Sequence, residues 1–133
     1  MTRVNTPPVL SVQVEDSMDI MIARDTARRA AGLLGFAPPQ KAQVAAAVAA
    51  LAEIILKAGA EETIHLNGVR NGWRIGIQAS CEMAWLQDLP VGTVGELQHK
   101  LSKMMDEVEV IGQDPPTVNM VFWLLPPRQV EEQ

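Results

Sequence analysis

The sequence predicts an α+β fold: a two-layer sandwich with three helices on one face of a mostly antiparallel sheet. Three observations predict it. Apolar residues alternate along Val9 to Glu15, they recur at helical spacing from Ile20 to Leu34 and again from Val44 to Ile55, and two later hairpin patterns flank a third helical stretch. The 133 residues suit one domain, and a hydrophobic share of 47% is enough for a packed core. The expected organisation is a flexible lead-in at 1–8, a single domain at 9–126 and a tail at 127–133.

Taken in chain order, Pro7-Pro8 belongs to the lead-in. Leu10, Val12 and Val14 then share one side of a first strand, with Ser11, Gln13 and Glu15 on the other. Asp16-Ser17 offers capping oxygens to a first helix whose apolar stripe is Ile20, Ala23, Ala27, Ala30, Ala31 and Leu34. Arg24, Arg28 and Arg29 lie elsewhere around it, and Gly35 ends it. Proline is tolerated only in a helix's first turn, so Pro38-Pro39 starts a second helix that runs to Ala58 and stops at Gly59. Its core stripe is Val44, Val48, Leu51 and Ile55.

A hairpin follows, with strands at Thr63 to Leu66 and Trp73 to Gln78. Two Asn-Gly pairs between them, Asn67-Gly68 and Asn71-Gly72, suit the positive φ of tight turns. Residues 79–92 show no clean period and read as a loop closed by Pro90 and Gly92. Thr93-Val94-Gly95-Glu96 matches a capping box, and Leu97, Leu101, Met104, Met105 and Val108 continue at helical spacing. Strands at Glu107 to Ile111 and Val118 to Leu125, joined by a turn through Gly112 to Pro116, complete the order.

Charge and cysteine content narrow the function classes. A net charge of −5 provides no positive field for nucleic acid or an anionic membrane. Cys81 is the one cysteine, so no internal disulfide forms, and no secretory pattern marks the N-terminus. A cytoplasmic location is expected. The apolar run Val44 to Ala52 meets Glu53 well short of the roughly 20 residues that a bilayer span needs. Cys81, His65 and His99 are on separate elements, which argues for a buried thiol and two surface imidazoles over a catalytic set. The methionine pairs Met18/Met21 and Met104/Met105 are expected in the core, as are at least two of Trp73, Trp85 and Trp123.

One family resemblance spans roughly residues 10–125. Met18-Asp19-Ile20, Ala23-Arg24, Arg28, Leu34-Gly35-Phe36, Ala42, Val48, Leu51-Ala52, Ile55 and Met105-Asp106-Glu107 resemble the anti-sigma-factor and switch-protein serine kinases of the GHKL, or histidine-kinase-like, ATPase superfamily. The resemblance implies a Bergerat-type fold. It also implies a second helix presenting a catalytic glutamate and, four residues on, a magnesium-binding asparagine. Those positions here are Ala50 and Ile54, which can neither move a proton nor ligate a hard cation. Glu53 is roughly 100° further round the helix. Shifting the match by one residue would put Glu53 at the asparagine position and Ala49 at the glutamate.

The family's second box, an aspartate for adenine followed by two glycines, falls on Ala79, Cys81 and Met83. Side chains stand where the backbone must approach the nucleotide. The lid that follows is shortened to Trp85 through Val91, and of the phosphate-gripping turn only Gly92 and Gly95 remain. A helix N-terminus there could still offer free amides to an anion, although such glycine pairs are more often turn punctuation.

Three functions therefore compete: a degenerate regulatory domain that acts by protein–protein interaction, an ATP-dependent serine kinase with atypical boxes, and a binding domain whose pocket at Ala50, Ile54 and Met83 takes an apolar small molecule. No cofactor is expected in the first case, ATP and magnesium only in the second. By resemblance the partner is a sigma factor, an antagonist or another bacterial signalling protein, and a homodimer is compatible with the family. Arg24, Arg28 and Arg29 offer one charged candidate surface for it, although such a charge run is more often a solvated helix face.

Overall fold

The computed structural model describes residues 3–85, 93–112 and 115–124. Among them, three helices and a five-stranded, wholly antiparallel sheet form an α+β domain. The elements are β1 (Val4–Val14), α1 (Met18–Leu33), α2 (Pro38–Lys57), β2 (Glu62–Asn71), β3 (Arg74–Glu82), α3 (Thr93–Ser102), β4 (Glu107–Ile111) and β5 (Thr117–Trp123). The strand order is β1-β2-β3-β5-β4.

Both long helices end as their sequences require. After α1, Gly35 at φ 95° lets the Phe36 N–H reach the Ala31 carbonyl at 3.0 Å and its own N–H reach Gly32 at 3.1 Å. Gly59 at φ 72° does the same for α2, with Ala60 donating to Ile55 and Gly59 to Leu56. These paired bonds satisfy carbonyls that a helix end would leave bare. At the start of α1, Asp16 and Asp19 do the capping: the Asp16 carboxylate accepts from Met18 N–H and that of Asp19 from Glu15 and Asp16 N–H. Ser17 makes no side-chain cap. Pro38 opens α2, where Gln40 accepts from the Ala37 N–H; Ala37 has no side-chain oxygen to return the bond.

The core lies between the helices and one face of the sheet. Val44, Val48, Leu51 and Ile55 of α2 are fully buried, as the spacing predicts, and so are Ala23, Ala27, Ala30 and Ala31 of α1. Each large side chain so buried contributes roughly 1.5–3 kcal/mol. Alanines also fill most of the remaining circumference of α2, so this helix is apolar nearly all round, as a helix enclosed by protein should be. By length and composition α2 is also apolar enough to cross a membrane, a longer stretch than the run before Glu53 suggests; half of that window is buried within the fold.

Several boundaries differ from expectation. β1 begins at Val4, inside the expected lead-in, and its register with β2 shifts between Thr6 and Val9, where the Pro7-Pro8 peptide is cis. Only Asn71-Gly72 makes a turn, with Gly72 at φ 64°. Asn67-Gly68 is mid-strand, and a Cβ on Gly68 would come within 2.6 Å of Thr6 Oγ1, so this glycine serves a close approach of β1. Residues 79–82, expected as loop, continue β3. α3 stops at Ser102, leaving Met104 and Met105 in the turns beyond it and Val108 on β4. The rest of the expected loop at 86–92 and the tail at 127–133 lie outside the described residues.

The methionine and tryptophan expectations are corrected in part. Met18 and Met21 are exposed, because they project from the side of α1 opposite the Ala23, Ala27 and Ala30 stripe. Met105 is buried and Met104 half-buried. Trp73 stands at the β2–β3 turn, 79% exposed, while Trp123 is buried on the other face of the sheet and Trp85 packs partly against the core.

Candidate functional site

Five of the positions to which the resemblance assigns a nucleotide pocket fall on described residues, and all five pack in or against the hydrophobic core. Ala50 on α2 is 7% exposed, and Ile54, one turn on, packs half-buried against the same cluster. Ala79 and Cys81 alternate on the helix-covered face of β3, paired to Leu66 and Met120 and to Val118 respectively. Met83, just past the strand, is fully buried; its N–H donates to the Pro116 carbonyl at 2.8 Å. Trp85 packs against the same cluster with its indole nitrogen enclosed and, among the described residues, without a partner.

The remaining two positions behave differently. Gly95 is the third residue of α3, exposed, with open space where a Cβ would stand, so neither packing nor a turn calls for glycine there. That overturns its reading as turn punctuation. Gly92 lies outside the described residues.

Cys81 is a core thiol. Burial first, then the nearby carboxylates of Glu62 and Glu82, push its pKa up to about 12. Its Sγ donates to the Glu82 carbonyl at 3.4 Å. Such a thiol is almost wholly protonated at neutral pH and unsuited to nucleophilic work. His65 and His99 are exposed, as the sequence indicates.

The two carboxylates that could replace the family's acid are in different places. Glu53 lines a groove of about 350 Å³ with Ser17, Ile20, Leu56 and Lys57, between the start of α1 and the end of α2. Glu82 lines one of about 220 Å³ at the end of the β2–β3 pair, with Glu62, Thr63 and His65. In that second groove the Glu62 carboxyl is held above its ordinary range, by burial first and by Glu82 second. Neither groove includes Ala50, Ile54, Ala79, Cys81 or Met83. Among the described residues, no three His, Cys, Asp or Glu side chains converge to hold a metal ion.

Sequence reasoning missed the second groove, although its signal is present. Gln78, Ser80 and Glu82 alternate with Ile77, Ala79 and Cys81, a period of two that makes Ser80 and Glu82 neighbours of Thr63 and His65 across the β2–β3 pair once 79–82 is read as strand.

No family model matches the chain, and no curated protein matches it.

Proposed function

We propose that the chain is a non-catalytic regulatory domain, similar in outline to anti-sigma-factor serine kinases, that acts by binding another protein in bacterial signalling or transcription control. The observation that carries this reading is the burial of Ala50, Ala79, Cys81 and Met83 in one hydrophobic core, with Ile54 packed against it. A triphosphate and its magnesium ion need polar donors and carboxylates at such positions, and apolar core offers neither. The separation of Glu53 and Glu82 into different grooves weighs against the kinase alternative, since these two carboxylates do not face a common space. The third alternative loses support from the same packing: Ala50, Ile54 and Met83 contact their own core and line neither groove.

The partner by resemblance is a sigma factor, an antagonist domain or another cytoplasmic signalling protein, with a homodimer as the assembly to test first. Calorimetric titration of the full chain with Mg-ATP tests the central claim. No saturable heat is expected up to millimolar nucleotide. Magnesium-dependent binding with a Kd near ~1 μM, about −8 kcal/mol, would overturn the reading in favour of the kinase.

A further inference from the structure

The β2–β3 hairpin ends in a basic and aromatic tip that the core does not use. Trp73 is 79% exposed, the most exposed large hydrophobic side chain among the described residues. Arg70 and Arg74 flank it on the two strands, one on each face of the hairpin, both exposed. Val4, 56% exposed, sits across from Arg70 on β1.

The neighbouring acids are already engaged. Glu107 binds Arg3 at 3.0 Å and accepts from the Trp123 indole at 2.8 Å, while Asp106 accepts from the Trp123 N–H. Arg74 lies over the Trp123 ring at 4.2 Å, a stacking that fixes its guanidinium without neutralising it. No carboxylate among the described residues forms an ion pair with Arg70 or Arg74.

We infer that this tip is a docking point for an acidic, partly apolar segment of a partner protein, with Trp73 as the anchor and Arg70 and Arg74 as carboxylate clamps. The inference rests on the reading of the chain as a protein-binding domain. Tryptophan and arginine are the residues that most often carry binding energy at protein interfaces. The planar guanidinium fork pairs with carboxylates through two parallel hydrogen bonds. The alternative occupant, an anionic membrane, fits less well. A net charge of −5 repels such a surface at long range, and one indole with two guanidinium groups is less than the amphipathic helix or polybasic cluster that holds a protein there.

The test is an amide and indole NMR titration of the isotopically labelled full chain with a short synthetic peptide in which glutamates surround a central leucine and phenylalanine. Shifts are expected to concentrate at residues 70–74 and the Trp73 indole, and to shrink as salt is raised. The double variant Arg70→Glu, Trp73→Ala should weaken binding by at least about tenfold, and Trp73→Phe should restore part of it. Because all these side chains are exposed, the variants keep the native spectrum elsewhere. An unresponsive tip, an equal response to the same peptide with lysines for glutamates, or a response only to phosphatidylglycerol vesicles would each overturn the proposal. Mg-ATP calorimetry on the same sample reports separately on the regulatory reading, so failure of one is not mistaken for failure of the other.

Discussion

The two faces of the sheet are built from alternate residues of the same strands, yet they do opposite things. The covered face presents Val12, Val14, Ile64, Leu66, Ile77, Ala79, Cys81, Val118, Met120 and Phe122 to the helices, all nearly inaccessible. The open face carries a polar row one residue out of phase, Ser11, His65, Ser80, Asn119 and Glu109, one from each strand in register. Its apolar content is a small separate cluster, Val69, Val121 and Trp123. Ala79 and Cys81 of β3 fall on the covered face, where a polar group without a partner is costly. Chemistry and recognition are therefore left to the exposed surfaces, among them the open face, the outer side of α1 and the hairpin tip.

Adjacent residues make the sharpest test of that contrast. Ala79→Asp sets a carboxylate between Leu66 and Met120. An unpaired buried charge should cost about 3–5 kcal/mol, enough to unfold much of a marginally stable domain. Ser80→Asp, the next residue, points between His65 and Asn119 and should cost under about 1 kcal/mol. Urea unfolding of both variants measures the difference. Equal costs would mean the two faces are not segregated as described.

A smaller effect separates the open face's own cluster from the main core. Gly76 lies directly across from Trp123, and a Cβ there would come within 2.8 Å of the indole, so the ring lies flat over a glycine with Arg74 above it. Trp123→Phe keeps a ring in this place but removes the indole N–H that Glu107 accepts. A loss of about 1–2 kcal/mol is expected. The same substitution at Trp73, which touches no core, should leave stability within about 0.5 kcal/mol. Thermal or urea unfolding of the pair would show whether the open-face cluster carries real stability or only covers the sheet.

The fold was largely legible in the sequence because the strongest periodic signals belong to the core. Val44, Val48, Leu51 and Ile55 sit where a helical repeat places them, and Gly35 and Gly59 stop the helices where positive φ is needed. The misreadings have local causes. Asn67-Gly68 has turn chemistry but is used for close approach of β1, a tertiary demand that no local pattern carries. Ala79 to Glu82 contains a serine, a cysteine and a glutamate in four residues, which hides a strand whose alternate members are small. Met18 and Met21 are apolar but face outward, and a helix pattern with apolar residues on two sides cannot say which side the sheet will take. That Ala50 and Ile54 carry no polar group was readable by letter. That they share one core with Met83 from the end of β3 is a tertiary fact that no local pattern carries.

The smallest expected effect tests the groove at the end of the β2–β3 pair. Glu62 has its pKa raised by burial and by Glu82, so the folded protein holds that proton more tightly than the unfolded chain does. A group with a raised folded pKa contributes stability that is present below its ordinary value of 4.5 and lost as pH rises through the folded value. At pH 7 both states are ionised and the folded state carries the strain of a partly desolvated carboxylate beside a second one. Glu62→Gln should therefore raise Tm at pH 7, by only about 1 °C because the site is largely solvated and screened. The advantage should disappear below pH 4 and shrink at high salt, since part of it is repulsion from Glu82. Glu82→Gln should give the salt-sensitive part of the gain and leave the desolvation part, so comparing the two melting curves against ionic strength separates the two causes. A Glu62→Gln variant that melts lower at pH 7 would mean that the carboxylate is held by a cationic partner in the native state, and the groove would then be an ion-pairing site already satisfied within the chain.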